Sequence, residues 1–218
     1  MKKAVIFDMD GVLSDSEYIY VEKILEVLEE EGVHIKAEEI NDIFGQSMIH
    51  LCTELKQRYR LPGAPAFYRD RVHDLRDKHI EEKGLYPMDG AVELVKSLHK
   101  RGVPIAVASS APAETIQRNM NLFGIGSYID QLVSGLECRK GKPDPEIYLR
   151  AAALLNTNPS DCLVIEDSSN GVAAAKNAGM FCYAFVPPKA VAQDISRADA
   201  ILTTFVGLDP GQLLGTDF

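Results

Sequence analysis

Ala4-Val5-Ile6-Phe7-Asp8-Met9-Asp10-Gly11-Val12-Leu13-Ser14-Asp15-Ser16-Glu17 is the stretch on which the reading of this chain turns. Four consecutive apolar residues stop at a carboxylate, and a second carboxylate and a glycine follow at once. A continuous apolar run, rather than an alternating one, predicts a strand buried on both faces, as in a parallel sheet. The pattern recurs downstream. Pro104-Ile105-Ala106-Val107-Ala108 ends at Ser109, Cys162-Leu163-Val164-Ile165 ends at Glu166, and Cys182-Tyr183-Ala184-Phe185-Val186 ends at Pro187. Ile129-Asp130-Gln131-Leu132-Val133 is a weaker fifth run. Segments of helical period separate the runs, over 89–101, 112–123, 144–155 and 169–178. Strand–helix alternation of this kind predicts an α/β fold, a Rossmann-like parallel sheet with crossover helices.

One segment breaks the alternation. Between the first strand and Tyr86 no strand pattern occurs, but amphipathic stripes do. Tyr18, Val21, Ile24, Leu25 and Leu28 recur at helical spacing, with Gly32 placed to stop the helix. Further stripes run through Met48, Leu51, Cys52 and Leu55, and through Phe67, Val72, Leu75 and His79. The expected organisation is therefore an α/β core of residues 1–14 and 86–218, with an all-helical insert at 15–85. The insert is acidic, with ten Lys and Arg against sixteen Asp and Glu. Arg69, Arg71, Arg76 and Lys78 read as part of a salt-laced surface helix rather than an anion site.

Composition narrows the function classes. At 218 residues the chain buries roughly 70% of its unfolded surface and needs no disulfide or metal staple. Its net charge of −9 argues against a large basic groove, so no nucleic-acid partner is expected. Cys52, Cys138, Cys162 and Cys182 form no C-x-x-C, and no histidine stands at zinc-ligand spacing. Reduced, mostly buried cysteines fit a cytoplasmic protein. No stretch approaches the ~20 apolar residues of a membrane span, and Ala4 to Phe7 is too short for a signal sequence. Gly124-Ile125-Gly126 follows a helix and lacks a third glycine, so it is not a dinucleotide loop. Nothing in the sequence fixes an oligomeric state.

In an open parallel sheet, ligands bind outside the carboxyl ends of the strands. Those ends carry Asp8 and Asp10, then Ser109 and Ser110, then Glu166 and Asp167, while Lys142 lies in the intervening loop Gly141-Lys142-Pro143-Asp144-Pro145. Singly, each has an ordinary reading: a turn, a helix cap, a surface lysine. Together they do not. Two unit charges ~4 Å apart at an effective dielectric of ~20 repel by about 4 kcal/mol, so four carboxylates at adjacent strand ends call for a cation. Hard oxygen ligands, too sparse for a calcium cage, fit Mg2+ completed by water and a phosphate. Hydroxyl and ammonium donors at neighbouring strand ends suit that phosphate.

Asp8-Met9-Asp10-Gly11-Val12, Ser109 after an apolar strand, Lys142 in Gly-Lys-Pro-Asp-Pro, and Glu166-Asp167-Ser168-Ser169-Asn170-Gly171 resemble, in order, the four motifs of the haloacid dehalogenase superfamily. Asp8, Ser109, Lys142 and Asp167 are 101, 33 and 25 residues apart, and the likeness covers essentially the whole chain. The helical insert is similar to the cap of the β-phosphoglucomutase-like branch. The resemblance implies that Asp8 is the nucleophile that takes the phosphoryl group and that Asp10 protonates the leaving oxygen and later activates the acceptor. It implies that Ser109, Lys142 and the backbone N–H of Ser110 hold the phosphoryl group. It also implies that Asp8, the carbonyl of Asp10 and Asp167 bind Mg2+, with Glu166 joining the metal set through a water.

Three reactions compete within that resemblance. Dehalogenases lack the second aspartate, and Asp10 argues against them. Phosphosugar mutases of the branch carry a His where Tyr20 stands and an Arg after a Gly-x-Ser, where Met48 follows Gly45-Gln46-Ser47. A phosphatase needs only water as acceptor, so hydrolysis of a small phosphorylated metabolite, a sugar phosphate first, is the expected reaction, with the mutase as the alternative. A non-catalytic, phosphate-binding or regulatory protein is a further alternative, set against the retention of Asp8, Asp10 and Lys142.

Overall fold

Six strands pair into one wholly parallel sheet among the described residues, which are 2–43, 48–186 and 193–215 of a computed structural model. The strands are β1 (Ala4–Phe7), β2 (Ile105–Ser109), β3 (Gln131–Ser134), β4 (Cys162–Glu166), β5 (Phe181–Phe185) and β6 (Ala200–Leu202), in the order β3-β2-β1-β4-β5-β6. The helices are α1 (Glu17–Glu30), α2 (Met48–Tyr59), α3 (Pro65–Lys83), α4 (Ala91–Lys100), α5 (Ala113–Leu122), α6 (Glu146–Leu154), α7 (Ser169–Asn177) and α8 (Pro210–Leu214). Every residue of β1, β2 and β4 is buried, which is why their sequences run apolar without alternation. The five apolar runs correspond to β1 to β5. The sixth strand was not anticipated: Ala200-Ile201-Leu202 is three residues long, lies at the sheet edge, and leaves Ile201 63% exposed. An edge so short carries no readable period.

The chain divides into two compact units, an α/β unit that takes in residues 2–15, 86–186 and 194–215, and a helical unit that takes in Ser16–Leu85. In the α/β unit, Ile6 and Val164 of the central strands pack in one cluster with Ile147, Tyr148 and Ala151 of α6 and with Val172 and Ala175 of α7. Each fully buried Ile or Val contributes roughly 1.5–3 kcal/mol relative to exposure, and the alanines let the two helices sit close to the sheet. The order of strands changes direction between β1 and β4: β2 and β3 continue from one side of β1, and β4, β5 and β6 from the other. In sheets of this kind ligands bind outside the carboxyl ends of the strands at such a switch point, here β1 and β4.

The helical unit has its own cluster, in which Ile24 and Leu28 of α1, Leu51 and Leu55 of α2, and Tyr68 and Val72 of α3 take part. Gly32 ends α1 as expected, at φ +77°, with the Gly32 and Val33 N–H groups returning to Glu29 and Leu28. The stripe of α3 is led by Tyr68, not Phe67, which is 57% exposed. Tyr68 stands four residues before Val72 and seven before Leu75, in phase with the buried face, and Phe67 is one residue out of phase. Arg69 pairs with Asp70, Arg71 with Glu30 and Lys78 with Glu82, as a salt-laced surface helix should. Arg76 differs: it is buried, with its guanidinium 5.0 Å from the Tyr20 ring centroid. Among the described residues no helix is long and apolar enough to cross a membrane, and the four cysteines are free thiols.

The segments that lead into and out of Ser16–Leu85 are tied to each other. Asp15 N–H donates to the Tyr86 carbonyl at 3.0 Å and Met88 N–H to Leu13 at 2.9 Å, around an antiparallel bridge between Ser14 and Pro87. The ends to be joined after removal of the helices are therefore neighbours, and the two clusters described above share no residue. Replacing residues 17–83 with a short linker is expected to leave an α/β unit that keeps the circular-dichroism signature of a mixed fold and melts cooperatively. A chain that fails to melt cooperatively would show that the sheet depends on the helical unit.

Candidate active site

The carboxyl end of β1 is built by a tight turn. Asp8 N–H donates to the Ile165 carbonyl at 2.9 Å, fastening the end of β1 to β4. The Met9 carbonyl accepts the N–H groups of Leu13 and Ser14, both at 2.9 Å, which reverses the chain immediately after Asp10. Gly11 makes this possible in two ways. It adopts φ +76°, and a Cβ in its place would lie 1.9 Å from Asp167 Oδ2. The Asp167 carboxylate therefore rests directly against the turn that carries Asp8 and Asp10, although 156 residues separate Gly11 from Asp167 in the chain.

Lys142 joins the two strand ends. Its ammonium donates to Asp8 Oδ1 at 2.5 Å and to Glu166 Oε1 at 2.6 Å, with the Ala108 carbonyl a third acceptor at 3.4 Å. Its side chain is 8% exposed, that of Asp8 10% and that of Glu166 1%. The Glu166 carboxylate is held by further donors. Tyr148 O–H donates to Oε1 at 2.9 Å, and the backbone N–H and hydroxyl of Ser168 donate to Oε2 at 2.8 and 3.0 Å. Ser168 also caps α7 by accepting from Gly171 N–H at 3.0 Å. A Cβ on Gly171 would lie 1.6 Å from Glu166 Oε1, so the glycine is required by the closeness of that carboxylate.

Glu166, expected to join the metal set through a water, has its two oxygens engaged by Lys142, Tyr148 and Ser168. Burial alone would push its carboxyl up, but the Lys142 charge and the surrounding donors outweigh it and hold Glu166 below the ordinary carboxylate range. Asp8 is not so well served. Burial pushes it up to about 7, and the negative charges of Glu166 and Asp10 add to the shift against the pull of Lys142. Burial works against the Lys142 charge too, yet its two carboxylates keep it above its ordinary value, so it stays an ammonium. One cation thus faces two buried anions at nearly equal distance.

That charge deficit fits a divalent cation on the Asp8 side. Among the described residues no three His, Cys, Asp or Glu side chains converge into a ready-made cluster. The oxygens on that side are hard ones: Asp8, Asp10 in the turn, and Asp167 against Gly11. Two carboxylates and a carbonyl suit an ion that keeps several waters, as Mg2+ does.

The remaining predicted residues lie at the end of β2. Ser109 is buried, and its hydroxyl oxygen accepts from Ala111 N–H at 3.1 Å, which leaves the hydroxyl its capacity to donate. Ser110 follows and is exposed. Ser134, level with Ser109 in the neighbouring strand, was not anticipated; its hydroxyl donates to the Ala111 carbonyl at 2.6 Å and so braces the loop from the far side. Tyr148 was missed as well, because an aromatic on a helix reads as core. Of the positions that bear on the mutase alternative, Tyr20 has the Arg76 guanidinium over its ring and His73 at its edge. Met48 begins α2, and Gly45-Gln46-Ser47 lie outside the described residues.

With the geometry in hand, comparison with known proteins is direct. The family model of haloacid dehalogenase-like hydrolases matches residues 5–185. A phosphorylated carbohydrates phosphatase from Thermotoga maritima is 33% identical over 178 residues, covering 82% of either chain. Hexitol phosphatase B from Escherichia coli K12 is 32% identical over 220 residues, covering 97% of this chain and 96% of its own. The crystal structure of β-phosphoglucomutase from Clostridium difficile superposes with a TM-score of 0.78 over 99% of this chain and 97% of its own, at 21% identity, a likeness of fold. The motif order, the switch-point site and the match across 5–185 agree, and the chain belongs to the haloacid dehalogenase-like hydrolase family.

Proposed function

We propose that this protein is a phosphatase that hydrolyses a small phosphorylated metabolite, a sugar phosphate first, through a phosphoryl group carried on Asp8. The observation that carries the reading is the Lys142 ammonium, 2.5 Å from Asp8 and 2.6 Å from Glu166 at the sheet's switch point. The fold is shared with a mutase, so it does not choose the reaction. Two relatives above 30% identity are named as a phosphorylated carbohydrates phosphatase and a hexitol phosphatase, which favours water as acceptor. Tyr20 and Met48 favour it too: a neutral phenol and a thioether are poor substitutes for an imidazole and a guanidinium.

In this reading an oxygen of the Asp8 carboxylate attacks phosphorus. The bond from phosphorus to the leaving oxygen breaks, and Asp10 gives that oxygen its proton. Asp10 then takes a proton from water as the water oxygen attacks phosphorus. The bond to Asp8 breaks, releasing inorganic phosphate and restoring the carboxylate. Lys142 and the Ser109 hydroxyl, with the Ser110 N–H, hold the phosphoryl oxygens throughout. Glu166 anchors Lys142 and would meet the metal only through a water. Asp8, the Asp10 carbonyl and Asp167 would hold Mg2+, which when bound supplies positive charge beside the phosphoryl group. The helical insert at residues 15–85 is the cap that selects the substrate. The reading includes no nucleic-acid or membrane partner, and cytoplasmic placement is part of it.

Asp8→Asn tests both the chemistry and the charge deficit. An amide cannot carry the phosphoryl group, so turnover of p-nitrophenyl phosphate is expected to fall at least a hundredfold; a loss within about tenfold, or ~1.4 kcal/mol in the barrier, would contradict the assignment. The same variant should be more stable than wild type in EDTA at pH 8. Asp8 titrates at about 7 when folded and near 3.8 ordinarily, so its contribution is fully present below pH 3.8 and is lost as pH rises through 7. Removing the charge should raise the melting temperature by a few degrees at pH 8, with the gain vanishing toward pH 4. No gain at pH 8 would show that the site bears its two anions without strain.

Metal removal gives a separate test. EDTA is expected to abolish phosphate release and Mg2+ to restore it. Full rate in metal-free buffer would remove Mg2+ from the account.

A further inference from the structure

Tyr148 is fully buried on α6, six residues after Lys142 in the chain. It meets the site in two ways. Its ring lies under the Lys142 ammonium, 5.0 Å from Nζ to the centroid, and its hydroxyl donates at 2.9 Å to Glu166 Oε1, the same oxygen that accepts from Lys142. A lysine side chain has four rotatable bonds, and this one extends from a loop. Its aim at Asp8 therefore depends on what stands on its other side. That is a glutamate whose second oxygen is fixed by Ser168 and whose first is shared between Lys142 and Tyr148.

We propose that the Tyr148 hydroxyl is a positioning residue for phosphoryl transfer: it satisfies one lone pair of Glu166 Oε1, so that Glu166 does not draw Lys142 away from Asp8. The inference rests on the phosphatase reading above. Without the hydroxyl, a buried acceptor loses a partner, and among the described residues the other donor on that oxygen is the ammonium. Lys142 then moves toward Glu166 and its contact with Asp8 lengthens. The effect falls on the step in which charge shifts between Asp8, phosphorus and the leaving oxygen, and little on the binding of the ground state. An ordinary buried tyrosine, whose hydroxyl merely needs a partner, would alter stability and leave transfer intact.

Tyr148→Phe keeps the ring and removes only the hydroxyl. The measurements are kcat and KM for p-nitrophenyl phosphate with Mg2+, well below the melting temperature of the variant, and inhibition by two probes. Inorganic phosphate reports the ground state, and orthovanadate mimics the five-coordinate phosphorus of the transfer step. The expected result is a fall in kcat of about tenfold with KM within about threefold, and orthovanadate inhibition weakened by about the same factor as kcat. Phosphate inhibition should stay within about twofold. A kcat within twofold of wild type, or vanadate and phosphate weakened alike, would overturn the inference. Lys142→Ala in parallel separates the two readings. If it too keeps wild-type kcat, the phosphatase assignment fails; if it loses turnover while Tyr148→Phe does not, only the role of Tyr148 fails.

Discussion

A single ammonium stands between two buried carboxylates, and the architecture around it follows from that sharing. Lys142 can neutralise one of Asp8 and Glu166, not both. Glu166 is given Tyr148 and both Ser168 donors, and so carries its charge comfortably. Asp8 is left with half a partner in a dry place, which pushes it up to about 7. A carboxylate in that condition is both costly to fold and ready to take up positive charge or an electrophile. The folded chain thus holds a local deficit at the point where its chemistry is proposed to occur, and the surrounding hydrophobic clusters sustain it.

The sheet makes this sharing possible. Asp8 and Glu166 come from strands 155 residues apart in sequence that are neighbours only because the strand order changes direction between β1 and β4. Two glycines remove the remaining obstacles. Gly11 lets the turn after β1 pass under Asp167, and Gly171 lets α7 start against Glu166. In each place a single methyl group would occupy the position of a carboxylate oxygen, so these backbones are shaped to the charges they carry.

The site was legible in the sequence to the extent that its residues sit at chain breaks. Asp8, Ser109 and Glu166 each end an apolar run, and a buried parallel strand must end where its polar residues begin. Lys142 was legible only in company with them, since a lysine in a loop has no signal of its own. What could not be read was orientation. That Glu166 also meets Lys142, Tyr148 and Ser168 had no signal, because sequence gives position along a strand and not the partners of a side chain. Tyr148 was hidden for the opposite reason: its helical period announces a core residue, and it is one, with only the oxygen at its tip engaged in the site. Phe67 and Tyr68 show the same limit on a helix, where adjacent aromatics compete for one face and only the phase against Val72 and Leu75 decides. β6 escaped because three edge residues make no pattern.

The central claim, that Asp8 itself carries the phosphoryl group, is tested most directly by trapping it. The wild-type protein is mixed with a phosphorylated sugar and Mg2+, quenched during turnover, and treated with borohydride, which reduces an acyl phosphate to an alcohol and so converts the aspartate to homoserine. Peptide mass spectrometry then locates the change. The account predicts homoserine at position 8, dependent on substrate. Substrate-dependent conversion at another carboxylate, or none at position 8 while phosphate is being released, would contradict it.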